Sequence, residues 1–541
     1  MSSHLDRPGG PAYGTVMAST PYDDVPYPSV PFPQTHPDRL ATLATLFGMR
    51  PAPVERCRVL ELGCGDGGNL IPMALVLPES RFLGLDLAVE AIGRGRATID
   101  ALGLRNVELR QADLRAFAEG LDAEQEPFDY IIAHGVYSWI PEDAREALLR
   151  IYRRRLAPQG VAYISYNAYP GCHVRDMVRQ MLLYHAAGTN DSRVAIGRAQ
   201  GLARMLADVL PEMEELAFLR HELREVTDRT PSVLFHDDLA PENRPFYFHE
   251  LMERAGAHGL QYLAEADFQE MGAHGIPPRL VEILDSIEQE RGLIAREQYL
   301  DFLRVRRFRQ TLLCHADAGL DRAGTVERVE QLSVASPVAP ATDRPDLRPG
   351  AVEEFRGPRG ALIQIDLPLA KAALLELGAA WPRRLPFHEL RSRADARLAG
   401  LGLPPAGEGG DQSRALAEIL LESYGAGVLQ LHEFMPPLVL EPGERPTASP
   451  LVRLQIERDD GPYVSTLLHT PLRIEDPFGR YALTLLDGTR DRPALLRALR
   501  RQARQKRGAD PTTEQAPSID LSPASVDAQL RELGRRGLLI A

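Results

Sequence analysis

Residues 57–69, Cys-Arg-Val-Leu-Glu-Leu-Gly-Cys-Gly-Asp-Gly-Gly-Asn, combine residue types that are suited to ligand binding. A short apolar strand carries an acid, Glu61, and runs into glycines at 63, 65, 67 and 68, before an apolar run with helical character. Glycine lets a backbone turn sharply and approach a ligand, and a helix N-terminus offers free amides to it. The G-x-G-x-x-G spacing alone fits a dinucleotide site or an ordinary strand-to-helix turn, so the neighbouring residues must decide.

Polar residues end the next predicted strands. Asp86 ends the strand 81–87, Asp113 ends the strand 107–113, and His134 ends the strand 128–134. A single terminal Asp is more often a helix cap or a turn residue. Glu61, Asp86 and Asp113, however, lie at the ends of three successive strands. Together they indicate a ligand site, because ligands bind at the carboxyl edge of open α/β sheets. An acid after the second strand is also where a ribose diol would be bound.

This pattern resembles the class I S-adenosylmethionine-dependent methyltransferases, whose first motif is the phrase Glu-Leu-Gly-Cys-Gly-x-Gly. The resemblance implies that S-adenosylmethionine is the cofactor, with its methionine part near Glu61, its ribose on Asp86 and its adenine amine on Asp113. A nicotinamide dehydrogenase is the competing interpretation, and Glu61 argues against it because a carboxylate suits an ammonium group better than a pyrophosphate. The implied cofactor-binding residues are Glu61, Gly63, Cys64, Gly65, Asp86, Leu87, Asp113, Leu114 and His134.

Three further segments narrow the resemblance. The stretches 22–41, 166–171 and 304–315 are similar to methyltransferases that carry a methyltransferase regulatory domain, a group that includes bacterial lysine methyltransferases of outer-membrane proteins. The resemblance implies a protein substrate with accessible lysines. Two alternatives stay open at this point. The chain could be a small-molecule O- or N-methyltransferase, or a cofactor-binding regulatory protein without catalysis.

Aromatic side chains flank the same predicted edge and suggest an acceptor site. Aromatic faces attract cations, and both a sulfonium donor and a methylated ammonium product are cations. Tyr137 or His134 could orient the acceptor amine or receive its proton. The competing interpretation is that these rings only pack in the core. The predicted acceptor site consists of Tyr137, His134, Trp139 and Tyr166, with Tyr169 beside them.

Composition limits the function classes. A formal net charge of −13 argues against nucleic acid as the main partner and favours a basic segment of a protein. No apolar run reaches the roughly 18 residues of a membrane helix, and residues 1–20 lack the apolar core of an export signal. The 4 cysteines form no C-x-x-C pair, and no His/Asp/Glu group has a metal-ligand spacing. We therefore predict a cytoplasmic enzyme that neither inserts into a membrane nor carries a metal.

The predicted fold is α/β, with a Rossmann-like class I methyltransferase sheet, a helical insertion, and a mainly α C-terminal region that contains two winged-helix-like repeats. The strand 260–266 is expected to return to the sheet, helices to fill 278–314, and a fragment ending near residue 330 to fold alone. The predicted domains are a disordered N-terminus (1–20), a methyltransferase domain (21–270) with a helical insertion (about 175–235), a helical regulatory region (271–330), a linker (331–352) and two winged-helix-like domains (353–445 and 446–541).

Overall fold

A computed structural model describes residues 29–120, 126–189, 191–272, 275–403, 410–458, 461–509 and 520–541 of the chain. Its largest unit is a seven-stranded sheet with strand order β3-β2-β1-β4-β5-β7-β6. Strands β1 to β5 are parallel to one another, and β7 is antiparallel to both β5 and β6. The strands are β1 (Arg58–Leu62), β2 (Arg81–Asp86), β3 (Val107–Gln111), β4 (Phe128–Ala133), β5 (Leu156–Asn167), β6 (Leu260–Glu265) and β7 (Phe308–His315).

The seventh strand corrects one expectation from the sequence. Strand β6 forms as predicted, but the segment expected to continue as helix up to residue 314 ends in strand β7, between β5 and β6. Three arginines, 304, 306 and 307, precede this strand, and a fourth, Arg309, lies inside it before the short apolar run 312–314. Arg309 is buried, and its guanidinium binds Glu265, at 2.6 Å, and Asp301, at 2.8 Å. Buried charges are tolerated where they are paired in this way.

Helices cover both faces of the sheet. One face packs on α1, α2 and α3, and the other packs on α4, α5 and α10. The alternation of side chains along each strand divides the apolar residues between the two layers. The helices up to the last strand are α1 (Pro37–Leu46), α2 (Leu70–Val76), α3 (Val89–Leu102), α4 (Leu114–Glu119), α5 (Glu142–Arg155), α6 (Cys172–Ala186), α7 (Ser192–Val209), α8 (Ala217–Asp228), α9 (Pro231–Asp238), α10 (Phe248–Ala257), α11 (Pro278–Arg291) and α12 (Leu293–Arg304).

Helices α6 to α9 occupy the stretch between β5 and α10, where the sequence predicts a helical insertion. They have an apolar cluster of their own, which includes Leu182, Leu223 and Leu234. The chain therefore leaves the sheet after β5, builds a small helical unit, and returns through α10 to β6.

The segment 331–352, predicted as a linker, is part of the folded structure. Strand β8 (Ser333–Ala335) pairs with β12 (Leu385–Pro386) and β13 (Gln430–His432), and β9 (Ala339–Pro340) pairs with β10 (Glu353–Arg356), which pairs with β11 (Leu362–Ile365). Val334 and Val338 are buried. Proline in this stretch is compatible with extended edge strands, so composition alone does not separate a linker from them.

The two halves of the chain share a hydrophobic core. One cluster runs from Leu43 of α1 through Val338 to Leu374 and Leu431. The expectation that the first half has a core entirely of its own is therefore wrong for this face of the sheet, because α1 packs on both halves, whereas the cluster on the opposite face contains residues of the first half alone. The helices of this part are α13 (Thr325–Val329), α14 (Pro368–Ala380), α15 (Phe387–Gly400) and α16 (Gly410–Gly425).

The C-terminal unit has its own apolar cluster, which includes Val452, Leu495 and Leu530. Its elements are α17 (Pro450–Arg458), β14 (Tyr463–Ser465), β15 (Pro471–Arg473), α18 (Pro477–Thr484), α19 (Arg492–Ala509) and α20 (Pro523–Arg535). Among the helices in the described ranges, none has the length and apolarity needed to cross a membrane.

Candidate active site

The glycine loop after β1 exposes its backbone to open space. Gly63 and Gly65 both have positive φ, 75° and 55°, which favours glycine. A Cβ at Gly63 would lie 2.5 Å from Cγ2 of Val136, whereas a Cβ at Gly65 would meet no heavy atom within 4 Å. The side chain of Cys64 is buried, and burial raises the pKa of its thiol well above the ordinary value, so it is an uncharged wall residue. The loop can accept a ligand at Gly65.

Glu61 carries an unpaired carboxylate oxygen beside this loop. It is buried, its Oε1 accepts a hydrogen bond from Nδ2 of Asn69 at 2.8 Å, and its Oε2 has no partner among the described residues. Burial raises the pKa of Glu61 to about 8; the Asn69 hydrogen bond opposes the shift, and the negative charge of Asp86 adds to it. A buried acceptor without a partner is costly, and a ligand ammonium group would satisfy it.

Asp86 ends β2 and shapes the loop. Its Oδ2 accepts the Gly65 N–H at 2.8 Å, and its Oδ1 accepts the Ala88 N–H at 2.8 Å. The next side chain, Leu87, is exposed. The carboxylate is thus fixed at the carboxyl edge of the sheet, next to Gly65.

Asp113 is a helix cap, which is the alternative that the sequence left open for an Asp at a strand end. It is the N-cap of α4, where it accepts the Arg115 N–H at 2.8 Å, and it forms an ion pair with the Arg115 guanidinium at 2.5 Å. These hydrogen bonds from Arg115 hold the pKa of Asp113 below its ordinary value. Leu114, which is partly buried, follows it. A contact between Asp113 and an adenine amine stays a prediction.

His134 follows β4 and contacts side chains from two other parts of the chain, β5 and the N-terminal segment. Its Nδ1 lies 2.9 Å from the hydroxyl of Tyr163, and its ring centroid lies 4.0 Å from that of Phe32. The next N–H, that of Gly135, donates to Oγ of Ser165 at 2.7 Å. Burial lowers the pKa of His134 to about 4. Its imidazole is therefore neutral at pH 7.

The predicted acceptor aromatics do not all lie together. Tyr137 and Tyr166 are 0 % and 1 % exposed, and their ring contacts are with Phe246 in the core, at 5.1 and 6.5 Å between centroids. Burial raises the pKa of Tyr137 to about 12. Its hydroxyl is therefore protonated near pH 7 and is poorly suited to take a proton from an amine. Trp139, in the short 3-10 turn Tyr137–Trp139, is partly exposed. An acceptor role for these residues stays a prediction.

A different aromatic group lies at the surface near the ends of β5 and β7. The ring of Tyr169 stacks on His173 at 4.2 Å and contacts Tyr247 at 5.3 Å, and Tyr247 contacts the exposed Phe302 at 6.0 Å. The hydroxyl of Tyr169 donates to Asp176 at 2.5 Å. Sequence reasoning found only Tyr169 of this group. Tyr247, which precedes α10, and Phe302, in α12, lie far along the chain from it, and His173 at the start of α6 was not singled out. We call Tyr169, His173, Tyr247 and Phe302 the aromatic surface.

The N-terminal segment contributes residues to which the sequence pattern assigned no role. Oγ of Ser29 accepts the Gly68 N–H at 3.0 Å, and the Phe32 N–H donates to Oδ1 of Asn69 at 2.9 Å. This segment lies within the stretch 22–41 that carries the family resemblance. Residues 22–28 of that stretch, and the residues 1–20 predicted to be disordered, lie outside the described residues. The segment thus covers the glycine loop and His134. In the described part of the chain, no group of three His, Cys, Asp or Glu side chains is arranged to hold a metal.

Three family models match the chain. Residues 59–160 match a methyltransferase domain, residues 230–315 match a predicted methyltransferase regulatory domain, and residues 444–537 match the C-terminal winged helix domain of PKMT. The regulatory-domain match includes β6 and β7, so that region completes the sheet.

Two relatives and a solved structure also match the chain. An uncharacterized protein of Rickettsia prowazekii is 32 % identical over 493 residues, which cover 90 % of this chain and 86 % of that protein. A second uncharacterized protein of that organism is 35 % identical over 236 residues, 43 % of this chain and 93 % of the relative. The structure of PKMT2 from Rickettsia typhi matches with a TM-score of 0.80 at 25 % identity, and covers 95 % of this chain and 100 % of that one.

The same Rickettsia typhi protein in complex with AdoHcy, the demethylated form of the cofactor, matches with a TM-score of 0.81. The unpaired Oε2 of Glu61, the open face of Gly65 and the carboxylate of Asp86 fit a ligand that combines an amino acid with a ribose. S-adenosylmethionine is the cofactor. The chain belongs to the class I S-adenosylmethionine-dependent methyltransferases that carry a methyltransferase regulatory domain.

Proposed function

We propose that this methyltransferase modifies lysine side chains of proteins. The observation that carries the proposal is the likeness to PKMT, which extends beyond the catalytic sheet to the C-terminal winged helix domain and to 95 % of the chain. A methyltransferase of small metabolites has no evident need for such an additional domain. We infer that the C-terminal half contributes to recognition of a protein acceptor.

We assign the cofactor site to the carboxyl edge of β1, β2, β3 and β4. Glu61 would accept the ammonium group of the methionine part through Oε2, and Asp86 would accept the ribose hydroxyls. Gly63 and Gly65 would pass beside the ligand, with Cys64 and Leu87 as walls and Asp113, Leu114 and His134 around the adenine and the reacting end. When bound, S-adenosylmethionine supplies a methyl group on a sulfonium, which is reactive toward a neutral amine.

The protein's own contribution is to bind, align and exclude water. Phe32 packs on His134 and Ser29 covers Gly68, so the N-terminal segment would keep bulk water from the glycine loop. His134 is neutral, so it can exchange a hydrogen bond with the amine of the acceptor and does not repel that amine in its ammonium form. A lysine must lose a proton before it reacts, and a poorly hydrated site favours the neutral amine.

The aromatic surface supports a cationic acceptor. Its rings lie beside Asp176 and near the last residues of β5. Aromatic faces and a carboxylate together attract an ammonium group or a methylated lysine, with each cation–π contact contributing about 0.5–2 kcal/mol depending on its exposure. The acidic chain, with a net charge of −13, would also favour approach of a basic segment.

The test is transfer of an isotope-labelled methyl group. The full-length protein is incubated with labelled cofactor and a cell lysate, and labelled residues are located by mass spectrometry. We expect label on lysine side chains, a strong decrease with Asp86→Ala, and no decrease with Glu79→Ala, which removes an exposed carboxylate paired only with Arg56. Label in small metabolites with none on protein lysines would refute the proposal and indicate a small-molecule methyltransferase.

A further inference from the structure

A loop of the C-terminal unit reaches into the first half of the chain. Residues 466–470 connect β14 to β15, and the His469 N–H donates to the Thr466 carbonyl at 3.0 Å while the Thr466 N–H donates to the Thr470 carbonyl at 3.0 Å. The Leu467 N–H donates to the Gly537 carbonyl at 2.8 Å, which ties the loop to the end of α20. His469 lies at the tip with a φ of 56°, a left-handed conformation that costs a non-glycine residue energy.

The side chain of His469 is buried against Asn69, 400 residues away in the sequence. Its Nε2 lies 2.9 Å from Oδ1 of Asn69. Because an amide oxygen only accepts hydrogen bonds, Nε2 carries the proton. Nδ1 has no hydrogen-bond partner among the described residues. The imidazole therefore donates one hydrogen bond, to Asn69. Burial holds the pKa of His469 well below its ordinary value, so the ring is neutral.

Asn69 binds both His469 and Glu61 through its side-chain amide. Its Oδ1 also accepts the Phe32 N–H, at 2.9 Å, and its Nδ2 donates to Oγ1 of Thr35, at 2.9 Å, and to Oε1 of Glu61, at 2.8 Å. The Phe32 N–H can only donate, so the oxygen of the Asn69 amide must face Phe32 and His469, and its Nδ2 must face Thr35 and Glu61. With Oε1 of Glu61 held in this way, Oε2 is the oxygen left without a partner.

We propose that His469 is a positioning residue for cofactor binding, which acts through Asn69 to fix the Glu61 carboxylate. Hydrogen bonds in a chain strengthen one another in a poorly hydrated interior, so a donor on Oδ1 makes Nδ2 a better donor to Glu61. The C-terminal winged helix domain thus completes the cofactor site of the first half. This inference rests on the cofactor site assigned under the proposed function.

The test compares His469→Leu with His469→Gln in the full-length protein. The two replacements are both unbranched at Cβ, so the cost of the left-handed backbone is similar, but only glutamine keeps an N–H where Nε2 lies. We expect His469→Leu to weaken binding of S-adenosylhomocysteine about three- to tenfold, which corresponds to one lost hydrogen bond, and His469→Gln to recover most of the affinity. Calorimetric titration measures both, and circular dichroism with thermal unfolding verifies the fold.

A double variant separates positioning from general stability. If His469 acts through Asn69, His469→Leu should have little further effect on the dissociation constant once Asn69→Ala is present. Additive effects, equal weakening by leucine and glutamine, or unchanged affinity in a folded His469→Leu protein would each overturn the inference. Binding is measured without an acceptor, so failure to find labelled lysines does not affect it. Unchanged binding in Asp86→Ala and Glu61→Gln would instead refute the assigned site itself.

Discussion

Replacement of Asp38 by alanine tests whether the two halves of the chain form one folded unit. Asp38, in α1, is 5 % exposed and accepts four hydrogen bonds from the C-terminal half. Its Oδ1 accepts the N–H groups of Glu433 and Phe434, both at 2.9 Å, and its Oδ2 accepts from His432 and Arg384, both at 2.8 Å. The neighbouring Arg384 holds the pKa of this carboxyl, against the effect of burial, well below its ordinary range.

The expected loss follows from what the alanine would leave behind. A largely buried guanidinium would lose its carboxylate, and two backbone N–H groups, of which that of Phe434 is buried, would lose their acceptor, so the free energy of unfolding should fall by about 3–5 kcal/mol. The matched control is Glu79→Ala. Its carboxylate pairs with Arg56 at 2.9 Å, but both side chains are largely exposed, so the loss should stay below about 1 kcal/mol.

The chain's 2 tryptophans provide the assay, because Trp139 lies in the first half and Trp381 in the second. Urea unfolding is followed in Trp139→Phe and Trp381→Phe backgrounds, each with and without Asp38→Ala. We expect both reporters to move to lower urea together, since both depend on the shared core. A change no larger than that of Glu79→Ala, or a shift of only one reporter, would refute the reasoning that this contact joins the two halves.

Three more predictions follow from the same contacts. Affinity for S-adenosylhomocysteine should rise from pH 6 to pH 8, because the pKa of Glu61 is about 8 and the ionised form binds the ligand's ammonium; calorimetry should find this dependence flattened in Glu61→Gln. A fragment ending at residue 330 should be insoluble or unfolded by circular dichroism, since it exposes the core shared with Leu374 and Leu431, and a soluble cooperative fragment would contradict this. Stability should fall as pH drops from about 6.5 to 4, because burial lowers the pKa values of His36 and His432 to about 4 and the unfolded chain takes up protons first; a flat urea midpoint over this range would contradict it.

The sequence by itself determined the strands β1 to β6 and the acids at the carboxyl edge of the sheet. Short apolar runs that carry Glu61, Asp86 and Asp113 at or near their ends and alternate with helical runs are typical of a parallel sheet with those acids at one edge. These are local signals, since each depends on residues within one turn or one strand of each other. The same locality explains why the cofactor could be predicted from the motif.

Only the tertiary structure decided which residues support that edge. The contacts of Asn69 with His469 and of Asp38 with His432 join residues about 400 positions apart, and no periodicity in the chain marks either pair. Strand β7 was hidden because its arginine is neutralised by acids from β6 and α12, which are not its sequence neighbours. Burial of Tyr137 likewise depends on Phe246, more than one hundred residues on. Packing between distant segments sets these environments, and the local pattern of residues does not encode it.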